Sequence, residues 1–171
     1  MNLIELKNFK KFDEINVDLN ENGLTLISGV NNSGKTSLLH ALAVWEYAKI
    51  LLINYRGHDS LLEDYDAEKG LGVAPESFSP ISIPSLRYLW KDQKTNGSYQ
   101  LKVKVGWKGA ENKNLYLELA YTLNGNNFAI KKSESNLSAA DKIPTIAYLP
   151  PFGGMNENES WLSLADRRKL I

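Results

Sequence analysis

The segment Gly29-Val30-Asn31-Asn32-Ser33-Gly34-Lys35-Thr36 constrains this chain more than any other. Two glycines five residues apart, followed by Lys and Thr, match the phosphate-binding loop pattern known as Walker A. The spacing has a physical basis. Successive backbone N–H groups wrap an anion only where the chain passes close to it, and side chains at the glycines would block that path. Lys35 then supplies a mobile cation toward the β- and γ-phosphates, and Thr36 offers its hydroxyl to Mg²⁺. A helix starting at this point turns the positive end of its dipole to the anion. The candidate phosphate-binding residues of the pattern are Gly29, Asn31, Asn32, Ser33, Gly34, Lys35 and Thr36, with Thr36 also the candidate metal ligand.

The pattern carries weight only between a strand and a helix, and the sequence offers both. Leu24-Thr25-Leu26-Ile27-Ser28 is a compact apolar run bounded by glycines, which predicts a buried strand. From Thr36 onward Leu38, Leu42, Trp45, Ala48 and Leu52 recur at helical spacing, and no Gly or Pro intervenes before Gly57. The later stretch, Ile50 to Ile53, is apolar all round, so another element or a partner should cover it.

Before the loop, Leu6 to Phe9 and the alternating Ile15, Val17 and Leu19 read as two short strands joined by a turn over Lys10 to Glu14, with Asn22-Gly23 closing the second. Residues 57–85 scatter Gly57, Gly70, Gly72, Pro75, Pro80 and Pro84 among serines, and so read as a loop-rich insertion with a helical turn near Leu61 to Tyr65. An antiparallel meander is expected over about 99–132. Tyr99 to Trp107 and Leu115 to Leu123 alternate apolar and polar residues, and Asn124-Gly125 turns the chain into Phe128 and Ile130. The apolar run Thr145 to Leu149 follows, ended by Pro150-Pro151.

Composition sets the remaining bounds. A chain of 171 residues is about one domain's length and can bury a real core without metal or disulfide. With no cysteine it is neither a disulfide scaffold nor a thiol enzyme, a usage that points to the cytoplasm, and zinc could be held only by His40, His58 and carboxylates. Twenty basic residues balance twenty acidic ones, so the chain as a whole lacks the charge of a polybasic nucleic-acid binder. Ala41 to Ile53, interrupted by Glu46 and Lys49, is too short and charged to span a bilayer, and no secretory signal opens the chain.

The opening strand ending in Asn8-Phe9-Lys10 with Phe12 beyond it, an acidic and polar second strand, the Gly-x-Asn-x-Ser-Gly-Lys-Thr loop and a Leu-Leu-x-Ala-Leu helix together resemble ABC-type ATPase heads. The nearest group includes the structural-maintenance-of-chromosomes proteins, RecF-type repair ATPases and the overcoming-lysogenization-defect nucleases. The match is close over residues 3 to 45 and architectural beyond. The resemblance implies an α/β fold, a P-loop NTPase core of strand, loop and helix beside an antiparallel β-subdomain. It implies ATP and Mg²⁺ as ligands, head-to-head dimerisation with ATP between two copies, and work on nucleic acid in repair, maintenance or phage defence. It also implies that Asn32 to Thr36 with Ser37 hold the phosphates and Mg²⁺ and that Lys7 to Phe12 lie beside the adenine and ribose, although these lysines read equally as solvated strand-end charges.

Three features of such heads have no match here. Pro150-Pro151 stands where a Mg²⁺-binding glutamine is usual, leaving Gln93 and Gln100 without that role. No four-residue apolar run precedes Asp-Glu, and no Leu-Ser-Gly-Gly signature occurs. The chain thus reads as the N-terminal half of an incomplete head, partnered by its C-terminal half, a second copy, nucleic acid or a nuclease. The catalytic base is unassigned. A non-hydrolysing, nucleotide-sensing or structural half-domain is the competing reading. A GTPase would need Asn-Lys-x-Asp, and Asn112-Lys113-Asn114-Leu115 lacks the aspartate.

Weaker candidates read mostly as scaffold. His40 has no second histidine four residues on, and Lys102 with Lys104 suits a solvated sheet face. Asp141, Glu157 and Glu159 read as loop charges, while Glu118 would join them as a base to test were turnover found. Trp90, Trp107 and Trp161 read mostly as core or interface residues, with a partner-binding or base-stacking patch at Trp90 within Arg87 to Lys91 as the lesser reading.

Overall fold

A computed structural model describes residues 1–20, 23–67, 69–97 and 100–149. Expectations resting on Asn22, Tyr99, Pro150, Pro151, Glu157, Glu159 and Trp161 lie outside the described residues. Alternating apolar positions build one antiparallel sheet from both halves of the chain. Its strands are β1 (Leu3–Phe9), β2 (Phe12–Asp18), β3 (Leu71–Val73), β4 (Leu101–Lys108), β5 (Asn114–Asn124) and β6 (Asn127–Ser135), in the order β2-β1-β4-β5-β6-β3. β1 joins the N-terminal hairpin to the meander, pairing Leu3 with Asp18 on one side and with Gly106 on the other. The Asn124-Gly125 signal is a real turn, with Asn124 paired to Asn127 and Gly125 at φ 61°. The 57–85 insertion lends β3 to the edge of β6, and its first helical turn falls at His58–Leu61 rather than Leu61 to Tyr65.

The two sheet faces follow from the period of two. Ile4, Leu6, Val103, Val105, Leu117 and Leu119 are buried on one side, under the long helix α1 (Lys35–Arg56). On the other side the lysines expected to be solvated sit in ion pairs, Lys102 with Glu118 at 2.7 Å and Lys104 with Glu5 and Glu134, each at 3.3 Å. Helix and sheet are pinned by polar tips of buried aromatics. Trp45 Nε1 donates to the Leu117 carbonyl at 3.0 Å, and the Tyr121 hydroxyl donates to the Val44 carbonyl at 3.3 Å. All five residues of the anticipated helical stripe are buried, and Leu51 and Ile53 pack partly against the same core. The helix ends at Gly57, whose N–H closes on the Ile53 carbonyl at 2.9 Å. By length and composition α1 could cross a membrane, and its apolarity is accounted for by its place as the core helix.

One expected strand does not join this sheet. Leu24 to Ser28 pairs with no strand among the described residues, and Leu24 and Leu26 stand 89% and 84% exposed. A buried strand needs neighbours on both edges to bond its N–H and C=O groups, and the antiparallel sheet closes on β2 without reaching this segment. The apolar run Thr145 to Leu149 likewise has no strand partner among the described residues, with Ile146 and Tyr148 turned to the core and Leu149 exposed. Trp90 forms no stacking patch. It is 3% exposed, its backbone bridges Phe9, and its ring meets Phe128 edge-on.

Candidate phosphate site

Gly29 to Gly34 bring the chain from the exposed 24–28 segment to the first turn of α1. The loop turns on left-handed residues, Asn32 at φ 62° and Gly34 at φ 105°, with the Ser33 N–H bonded to the Val30 carbonyl at 3.2 Å. Alternating handedness of this kind points N–H groups to one side. Gly34 is required twice over. Its φ disfavours any side chain, and a Cβ there would lie 2.5 Å from the Phe12 ring and 2.9 Å from Lys11 Cδ. The first helical bond runs from the Leu38 N–H to the Gly34 carbonyl, so the N–H groups of Lys35, Thr36 and Ser37 lack a helical acceptor. No carboxylate occupies the first turn, leaving the positive dipole end uncompensated.

The Lys35 ammonium is folded back into the loop. It donates to the Gly29 carbonyl at 2.7 Å, the Val30 carbonyl at 2.8 Å and Ser33 Oγ at 3.4 Å. A phosphate entering the loop would exchange these carbonyls for its own oxygens, a stronger acceptor for an ammonium. Thr36 is exposed at the mouth, and Asn31 and Asn32 are exposed around the rim.

The β1–β2 turn closes one side of this site. Lys11 Nζ donates to the Asn32 carbonyl, and Phe12 packs on Gly34. Lys10 Nζ donates to Nδ1 of His40, which lies one helical turn beyond Thr36. Burial, then the charge of Lys10, lowers the His40 pKa to about 4, and burial also lowers that of Lys10. His40 is thus a neutral acceptor for a half-buried cation. Asp13, on the same hairpin, is drawn off to Lys91 at 3.3 Å.

Of the stretch expected beside a base and ribose, the structure brings Lys10, Lys11 and Phe12 to the loop and helix. Phe9 is instead fully buried in the core, and Lys7 lies on the polar sheet face opposite Glu14 and Lys102. The Lys10–His40 contact went unread in the sequence, where the only signal was His40 four residues after Thr36. The other reserve carboxylates are engaged. Glu118 is held by Lys102, and Asp141 accepts from the Ser138 hydroxyl and N–H, which lower its pKa. No cluster of three metal-ligating side chains occurs among the described residues, so a metal at Thr36 would need oxygens from a nucleotide. A larger open groove of roughly 700 Å³, lined by Phe78, Ile83, Arg87 and Leu123, shares no residue with the phosphate loop.

A glycine loop opening a helix, with Lys10, Lys11 and Lys35 around it, presents the N–H groups and positive charge that an anion needs. Residues 1–70 match the family model described as AAA ATPase domain. That span covers the β1–β2 hairpin, the loop and α1, so this part of the chain is similar to an AAA-type ATPase. No curated protein and no solved structure matches the chain.

Proposed function

We propose that the chain binds ATP at the Gly29–Thr36 loop, with Mg²⁺ shared between Thr36 and the nucleotide. One observation carries this. Lys35 sits inside the loop on backbone carbonyls while Lys10 and Lys11 bring two more cations to the same helix end, in a chain whose net charge is zero. Three ammonium groups and an open helix N-terminus suit a polyanion such as a triphosphate far better than a neutral ligand. Lys10, Lys11 and Phe12 would border the nucleotide. The similarity of residues 1–70 to AAA ATPase domains supports the same reading.

At the finer level, the resemblance to heads of the structural-maintenance-of-chromosomes, RecF and overcoming-lysogenization-defect group leads us to propose a role in nucleic-acid repair, maintenance or phage defence, in the cytoplasm. The exposed Leu24 and Leu26 favour a functional unit in which a C-terminal half or a second copy covers the 24–28 segment. A non-hydrolysing sensor is the second reading, favoured by the engagement of Glu118 and Asp141 in pairs of their own.

Calorimetry with ATP and Mg²⁺ tests the primary reading. Lys35→Ala should remove most of the affinity and leave the melting temperature unchanged, because Lys35 bonds only loop atoms at the surface. Equal affinity in variant and parent would overturn it.

A further inference from the structure

We propose that Glu46 and Lys49 are positioning residues that fix the backbone of 144–146 on α1, so that Tyr148 is held beside His40 next to the turn that borders the phosphate loop; the proposal rests on the ATP reading above. The two side chains are almost wholly buried, 10% and 5% exposed, and pair at 2.8 Å one helical turn apart. Burying two charges is costly unless their remaining lone pairs and protons find partners. Here each finds one on the same extended segment. Lys49 Nζ donates to the Pro144 carbonyl at 2.7 Å, and Glu46 Oε2 accepts the Ile146 N–H at 3.1 Å.

Pro144 has no N–H, so this carbonyl is its only backbone bonding group. Residues 144 and 146 turn their backbone groups to the same side of an extended chain, as the geometry of alternation requires. The ion pair therefore does for this segment what a neighbouring strand would otherwise do. Trp107 adds a fixed point at the start, its Nε1 donating to the Lys142 carbonyl at 3.0 Å, and the Lys49 ammonium lies 5.4 Å over the Trp45 ring.

The contacts also give a direction. Lys49 meets Pro144, Glu46 meets Ile146, and His40 meets Tyr148 edge-on at 5.7 Å between ring centres. Residue numbers fall along the helix as they rise along the segment, so the segment runs antiparallel to α1, toward the loop. At its far end Tyr148 touches the ring that accepts from Lys10, and the turn bearing Lys10 holds the loop through Lys11. A continuous set of contacts thus links the anchored backbone to the phosphate site. A slip of this backbone would move Tyr148 off His40 and disturb the turn that borders the nucleotide.

Hydrogen exchange at the Ile146 amide, with and without ATP and Mg²⁺, provides the test. Single changes, Glu46→Gln or Lys49→Met, leave one charge unpaired and so endanger the fold. The double variant Glu46→Leu with Lys49→Met removes both charges and keeps apolar volume. It should melt like the parent, exchange the Ile146 amide at least about tenfold faster, and bind ATP several-fold more weakly. In the parent, ATP should slow exchange at this amide further, an effect a merely structural pair would not produce. A folded double variant with parental exchange, or with parental ATP affinity and the same ATP-dependent slowing, would overturn the proposal. If the parent failed to bind ATP, the functional reading and the positioning role would fall together. The exchange difference without nucleotide would still show whether the anchor exists, which tells the two failures apart.

Discussion

Single residues at the loop carry the sharpest expectations. Gly34→Ala forces a side chain into a left-handed position and against Phe12 and Lys11, so it should cost about 1–3 kcal/mol and reshape the loop. Thermal melting and ATP titration of the same sample check both effects. His40 governs an acid-side response. Its ring takes a proton near pH 6.5 when unfolded and only near pH 4 when folded. Between those values the unfolded chain holds more protons, so stability is intact above pH 6.5 and is lost as pH falls through about 4. The ring is half exposed, so solvent screening reduces the full effect to about 1–2 kcal/mol. Melting curves from pH 7 to pH 4 should show this slope in the parent and a shallower one in His40→Gln. At this scale the Walker A pattern stands out because its residue types and spacing are fixed, and the structure places it on a loop that opens α1. The Lys10–His40 contact does not stand out, since it joins residues thirty apart through a turn whose left-handed Lys10, at φ 51°, no propensity announces.

Among the elements, α1 was the most readable, because a buried helix between caps imposes both a period and an end signal. Its stripe fixes the next expectation. Leu42→Asp places an unpaired charge against the sheet and should cost more than about 3 kcal/mol, unfolding or aggregating the protein. Asn31→Ala, on the exposed rim, should melt within about a degree of the parent. Equal melting of both variants would show that this face is not packed. The meander was legible for the related reason that period two and a turn residue agree. Leu24 to Ser28 reads as a buried strand from its apolar density, and Leu24 and Leu26 are instead exposed. Apolar density reports that a segment will be covered, and says nothing of which chain supplies the cover. Nor could the sequence show that Glu46 and Lys49, which interrupt an apolar helix, serve as the backbone partners of a segment nearly one hundred residues away.

For the whole molecule the balance lies between a closed core and an open edge. Twenty-two residues of helix over a six-stranded sheet make a core to which the 24–28 segment adds only the partly buried Ile27. Leu24, Leu26 and Val30 meanwhile present apolar surface to water beside the phosphate loop, 89%, 84% and 79% exposed. An apolar segment that joins no strand among the described residues invites pairing with another chain. We therefore expect the protein to self-associate at micromolar concentration, and the double variant Leu24→Lys with Leu26→Lys to be monomeric by light scattering. Because both side chains already stand in water, the variant should melt within a degree or two of the parent, unlike Leu42→Asp. A variant that stayed oligomeric would place the association surface elsewhere, and one that melted far below the parent would show that these leucines belong to the core. The same variant bears on turnover. Phosphoryl transfer needs a positioned water, a base and a metal clamp besides the loop, and charge stabilisation from Lys35 alone lowers the barrier little. Any ATP hydrolysis by the parent should accordingly depend on Lys35 and vanish in the monomeric Leu24→Lys, Leu26→Lys variant, with phosphate release at matched concentrations as the measure. Steady, Lys35-dependent turnover by that monomer would place the base on this chain, with Glu118 and Asp141 the first of the described carboxylates to replace.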